Sequence, residues 1–168
     1  MASKIKTDPE SSIYFLKPSD VGLVPSGDSS ATFNPSNLPA GSGHNSTLYD
    51  LGPGPRTTLF EWRSVAQLSG GSGNPGTSVE QYLACSNDGT LIDGMIPGVD
   101  SGLQNPDQRR NLDFMGALTE DGNSTLVSSG RVHIFSRYVS VVWWNSTPNA
   151  LGPSGNLVIL TPMPDELQ

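Results

Sequence analysis

The chain of 168 residues is poor in the groups from which most enzyme sites are built. It has one cysteine, so no disulfide forms within it, and Cys85 stands in the apolar run Tyr82-Leu83-Ala84-Cys85. That setting predicts a small buried hydrophobe rather than a reactive thiol. The only histidines are His44, in a Gly/Ser-rich stretch, and His133, in an apolar block. One cysteine and two distant histidines do not make a structural zinc site. Asp88, Asp93 and Asp100 carry intervening glycines that suggest calcium, but their spacing matches no EF-hand loop. Neither a Gly-x-Ser-x-Gly elbow nor a phosphate-cradling loop ending in Lys-Ser/Thr is present. A catalytic His133 would need an orienting carboxylate and a nearby nucleophile. No such set is visible, and no enzymatic activity, metal or cofactor is expected.

Positive charge is scarce as well. Nine Lys and Arg against 16 Asp and Glu leave a formal charge of −7. Nucleic acid binding needs clustered cations to neutralise phosphates, and docking to an anionic membrane needs the same. Neither partner is expected; protein partners are. No apolar run approaches the ~20 residues of a membrane-spanning helix. The start, Met1-Ala2-Ser3-Lys4-Ile5-Lys6, shows no secretory pattern, so synthesis in a cytoplasm is expected. Asn45, Asn123 and Asn145 each begin an Asn-Ser-Thr triplet; in a chain this rich in Ser and Thr they are expected to be chance matches rather than glycosylation sites.

What the chain does have is punctuation. Glycine (19) and proline (14) are spread along it without a period, marking turns between short strands. Residues 1–12 read as an arm, with Lys4, Ile5 and Lys6 as candidate partner contacts. Ile13-Tyr14-Phe15-Leu16 is a short strand stopped by Pro18, and 19–55 reads as one long loop. The expected division is an extended arm and loop region over 1–56 and a β body over 57–168.

Within the body, Leu59 to Leu68 alternates: Phe60, Trp62, Ser64, Ala66 and Leu68 share one face, Glu61, Arg63 and Gln67 the other. Val79 to Cys85 is a second strand, and the turn Asn87-Asp88-Gly89 predicts a hairpin to Thr90-Leu91-Ile92. Asn105-Pro106 predicts the start of one short helix, ended by Gly116. The run from Arg131 to Asn145 predicts strand with a bend or bulge near Ser136, buried on both faces at its Tyr138–Trp144 end. Leu157-Val158-Ile159-Leu160 is the last strand. The pattern predicts a mostly β fold, a β-sandwich or jelly roll with long Gly/Pro-rich loops and one short helix.

Two features suggest binding. Trp62, Trp143 and Trp144 offer aromatic rings that on a sandwich face stack against sugars, although adjacent Trp143 and Trp144 must face opposite sides of a sheet and so suit a core. Arg109-Arg110 is the densest cationic pair and a candidate docking point for an acidic neighbour.

The stretches Phe60-Glu61-Trp62-Arg63, Arg109-Arg110-Asn111-Leu112, Ser129-Gly130-Arg131-Val132, Arg137-Tyr138-Val139-Ser140-Val141-Val142-Trp143 and Thr161-Pro162-Met163-Pro164-Asp165-Glu166 resemble a family of structural proteins of tailed bacteriophages. The resemblance spans roughly 57–168 and contains no catalytic signature. It implies a virion component similar to capsid decoration (cement) proteins: a β-sandwich body, self-association with a trimer favoured, and the major capsid protein as partner on the capsid surface. A minor head–tail protein and a carbohydrate- or receptor-binding β module remain alternatives at this point.

Overall fold

The structure, a computed structural model, describes residues 11–53, 57–70 and 74–163. Among the described residues eleven strands run in chain order: β1 Ile13–Leu16, β2 Ser29–Thr32, β3 Gly43–Asn45, β4 Tyr49–Asp50, β5 Leu59–Gln67, β6 Ser78–Ser86, β7 Ser101–Leu103, β8 Asp113–Thr119, β9 Thr125–His133, β10 Tyr138–Asn145 and β11 Leu157–Pro162. They form two sheets, ordered β2-β1-β11-β5-β9 and β7-β3-β10-β6-β8, with β4 also pairing β10. Set aside β2, β4 and β7, and the other eight fall into a pattern. Counted along the chain, one sheet is first–eighth–third–sixth and the other second–seventh–fourth–fifth. That interleaving is the double Greek key of a jelly roll.

The sheets face each other across one apolar layer. Phe60, Trp62 and Ala66 of β5, Val158 and Leu160 of β11, and Phe15 of β1 meet Val79 and Leu83 of β6 and Val141 and Trp143 of β10. The alternation expected for β5 is present residue by residue: Phe60, Trp62, Ser64 and Ala66 are buried, Glu61 and Arg63 exposed. Burial on both faces of β10 is equally clear, since all but Tyr138 of its residues are buried. Cys85 lies in the core. The bend expected near Ser136 is a full crossing: β9 ends at His133 in one sheet and β10 begins at Tyr138 in the other.

Two strand glycines are explained by one ring. A Cβ at Gly116 on β8 or at Gly130 on β9 would stand 2.8 Å from the Trp62 indole, so the missing side chains form the seat of that ring. Gly130 is also the direct partner of Trp62 in the β5–β9 register. The expected helix end at Gly116 is therefore a correction. The helix is a 3₁₀ segment, Pro106–Asn111, and Gly116 lies in β8. Its start is as read, with the Asn105 side chain accepting from the Asp107 amide at 3.0 Å.

Two further expectations are corrected. The turn at Asn87–Gly89 forms, with Asp88 Oδ1 accepting from the amides of Thr90 and Leu91, but no hairpin follows. The chain instead enters a 3₁₀ turn at Asp93–Met95, and the neighbours of β6 are β8 and β10. The boundary at 56/57 does not separate a loop region from a body either. β1 sits inside one sheet between β2 and β11, β3 sits inside the other between β7 and β10, and Phe33 and Leu38 are core residues. Residues 13–50 supply four of the eleven strands, held by isolated apolar anchors and buried side-chain amides rather than by an alternating pattern.

Candidate functional site

On its outer side the sheet β7-β3-β10-β6-β8 carries a second layer. Period two along β6 turns Glu80, Tyr82 and Ala84 away from the main core. Ala84, Val142, Trp144, Leu103 and Ile96 make a separate buried cluster, with Tyr82, Ile92 and Leu112 against it. The segment between β6 and β8, with its two 3₁₀ turns, covers this cluster. Gly43 on β3 gives Trp144 room, since a Cβ there would overlap the ring.

The 3₁₀ helix Pro106–Asn111 lays Arg109 onto this layer. Its guanidinium stands 4.6 Å from the Trp144 ring centre, and Nη1 donates to Glu80 Oε2 at 2.6 Å. The same carboxylate oxygen accepts from the Tyr82 hydroxyl at 2.5 Å, and the other accepts from Ser146 Oγ at 3.3 Å. Tyr82 meets Phe114 of β8 edge to face at 5.4 Å. An ion pair and a phenol–carboxylate bond thus converge on Glu80, and the paired Arg109 adds a cation–π contact to Trp144, all partly shielded from water.

Burial of the phenol, and next the hydrogen bond and charge of Glu80, push the Tyr82 pKa up to about 12. The folded value lies above the ordinary value of 10.0. The stabilisation tied to the neutral phenol is therefore fully present below pH 10 and is lost as pH rises through about 12. The melting temperature is expected to fall across that window, and Tyr82→Phe to flatten the fall. Equal alkaline losses in both proteins would show that Tyr82 is not the titrating group.

The two candidate docking arginines part company here. Arg109 is spent on Glu80 and Trp144, whereas Arg110, whose side chain is 80% exposed, pairs among the described residues only with Asp107 one turn back at 3.2 Å. Lys4, Ile5 and Lys6 lie outside the described residues. Around the same layer stand exposed apolar side chains, Leu91, Phe114 and Met95, the last 89% exposed. Met95 also holds φ +54°, a left-handed backbone that a long side chain adopts at a cost.

The aromatic platform is not on the surface. Trp62, Trp143 and Trp144 are each at most 3% exposed, so none is free to stack on a sugar ring. His44 Nε2 meets Asp100 Oδ1 at 3.0 Å, and that oxygen also accepts from the Asn34 amide at 2.9 Å. His133 stands on an open strand face, stacked on Phe135 at 5.9 Å. Asp93 accepts from the Cys85 amide, and Asp88 from two amides and Ser86, contacts that hold its carboxyl below the usual range. The three aspartates considered for calcium thus serve three separate pieces of backbone.

Of the three Asn-Ser-Thr triplets, two are interior. Asn45 Nδ2 donates to the carbonyls of Ser46, Pro97 and Val99. Asn145 donates to those of Leu38 and Asn149 and accepts from Thr147. Both are fully buried, and only Asn123 lies in an exposed turn. The Glu80–Tyr82–Arg109–Trp144 group escaped the sequence reading; its one signal was the period-two placement of Glu80 and Tyr82. No protein-family model and no curated protein matches the chain.

Proposed function

We propose that this chain is a decoration protein of a tailed-bacteriophage head, binding the outside of the shell and bridging major capsid protein subunits. The observation that carries the reading is where the chemistry sits. The tryptophans are buried in a jelly-roll body, and the arginines Arg109 and Arg137 are held by Glu80 and Asp50. Val21, Leu23, Leu91, Met95, Val99, Phe114, Val127 and Phe135, by contrast, are 53–89% exposed. Large apolar side chains held out from a rigid sandwich suit broad packing against protein, and a formal charge of −7 suits solubility before assembly. A protein that binds only the expanded shell stabilises it by mass action. Jelly rolls also serve as lectins, but the burial of all three tryptophans removes the observation that favoured a sugar platform.

Mass spectrometry of purified virions, with copy number per particle, tests the reading. Hundreds of copies are expected. A dozen or fewer would assign the chain to a tail or portal vertex, and absence from particles would end the proposal.

A further inference from the structure

A sandwich has four sheet edges, and here three are guarded. β2 is four residues long, and its last residue exchanges bonds with Thr47 rather than with another strand. β7 has three residues. The pairing of β8 with β6 is broken by a register shift at Gln81/Tyr82. The fourth edge, β9, runs nine residues, Thr125–His133, without register shift along β5. It contains no proline, no lysine and no acidic residue. Nine residues span about 30 Å; β8 packs close to it from the facing sheet, but the strand itself carries no bulge, proline or inward charge of the kind that keeps edges unpaired.

The ladder gives the direction of the β9 backbone groups that pair with no strand among the described residues. Ile134 N donates to Thr58 O and Leu68 N to Ser124 O, so the even-numbered residues 126–132 exchange bonds with β5. The N–H and C=O groups of Thr125, Val127, Ser129, Arg131 and His133 therefore point away from the sheet. Their side chains share the outer, exposed face, while Leu126, Ser128, Gly130 and Val132 face inward.

We infer that β9 pairs antiparallel with β9 of a second copy of this chain about a two-fold axis at Ser129, joining two five-stranded sheets into one. The sequence is complementary to itself in that register. Ser129 meets Ser129, Ser128 meets Gly130, Leu126 meets Val132, Thr125 meets His133, and Val127 meets Arg131. Apolar side chains oppose each other on the core side, small residues oppose each other at the centre, and no like charges face. The two copies of Arg131 stand four residues apart along the strand, about 13 Å, beyond the screening length in physiological salt. The absence of acidic residues also makes β9 an edge at which two chains of net charge −7 meet without facing carboxylates. The same register carries exposed Phe135 toward the partner's turn at Asn123. The pairing stands whether or not the chain binds a capsid, and it favours two-fold closure over the trimer that the phage resemblance implies.

The full-length chain, measured by sedimentation and light scattering at up to about 100 μM, is expected to dimerise by mass action. Ser129→Pro removes an N–H that points away from β5 and should yield a folded monomer. Val127→Lys sets Lys against Arg131 twice per dimer and should weaken association about tenfold, whereas Val127→Glu, in the same exposed position, should tighten it by a similar factor. The opposite signs of these two surface variants keep the test decisive if Ser129→Pro misfolds. A monomeric wild type, a trimer, or a dimer indifferent to both Val127 charges would overturn the inference.

Discussion

Trp143→Ala is expected to remove about 3–5 kcal/mol of folding free energy through lost packing alone, a large share of the stability of an ordinary domain. The side chain is fully buried between the sheets and meets Phe33 edge-on at 5.0 Å. Truncation would open a cavity in a layer with little freedom to collapse, because β10 is packed on both faces. A polar cost is added. Trp143 Nε1 donates to Gln81 Oε1 at 3.2 Å, and Gln81 Nε2 has no partner among the described residues. Without the indole, the whole buried amide would be stranded, a further cost of about 1–3 kcal/mol. Urea unfolding followed by circular dichroism measures the change. A loss below about 1 kcal/mol would mean that the inter-sheet layer is not the cooperative core described here.

Asn45→Ala should cost less overall, about 2–4 kcal/mol, but act more locally. The amide holds the carbonyls of Ser46, Pro97 and Val99 at 2.7–2.9 Å, and with His44–Asp100 it fastens the 97–100 loop to β3. That loop leads into β7 and the cover of the Trp144 layer. The variant is therefore expected to show faster amide exchange over residues 96–112 than in β5 and β11, together with a red shift of tryptophan emission as Trp144 meets water. Uniform exchange across both sheets would place the amide in the global core instead.

The sequence made β5, β10 and the jelly-roll class legible because long strands with one or two buried faces write their period into side-chain type. The segment 13–50 was not legible for a physical reason. β2, β3 and β4 have two to four residues each, mostly Ser, Thr, Gly, His and Asn, too short to show a period, and Phe33 and Leu38 bury alone among turn residues. A loop reading follows from composition, but hydrogen bonds from Asn45, Ser46 and Asn145 do the work that apolar alternation does elsewhere. At the site, Arg109-Arg110 stood out as a pair, yet in a 3₁₀ helix consecutive residues point about 120° apart. One therefore meets Trp144 and Glu80 while the other meets water. The pairing of Arg109 with Glu80, 29 residues away, depends on how the segment between β6 and β8 folds back, which no local pattern encodes.

β1 is hydrogen-bonded to β11, with Ile13 opposite Leu160 and Leu16 opposite Leu157. The first of the described strands thus lies beside the last, with the short parallel strand β2 on its other flank. During synthesis, Phe15 must wait with half its backbone unpaired until residues 157–162 have left the ribosome. Closure of that sheet is a late, long-range event, of the kind that makes all-β chains fold slowly. Until it happens, the nascent protein displays a vacant slot in the middle of a sheet, so chaperone protection matters most in the interval before β11 emerges.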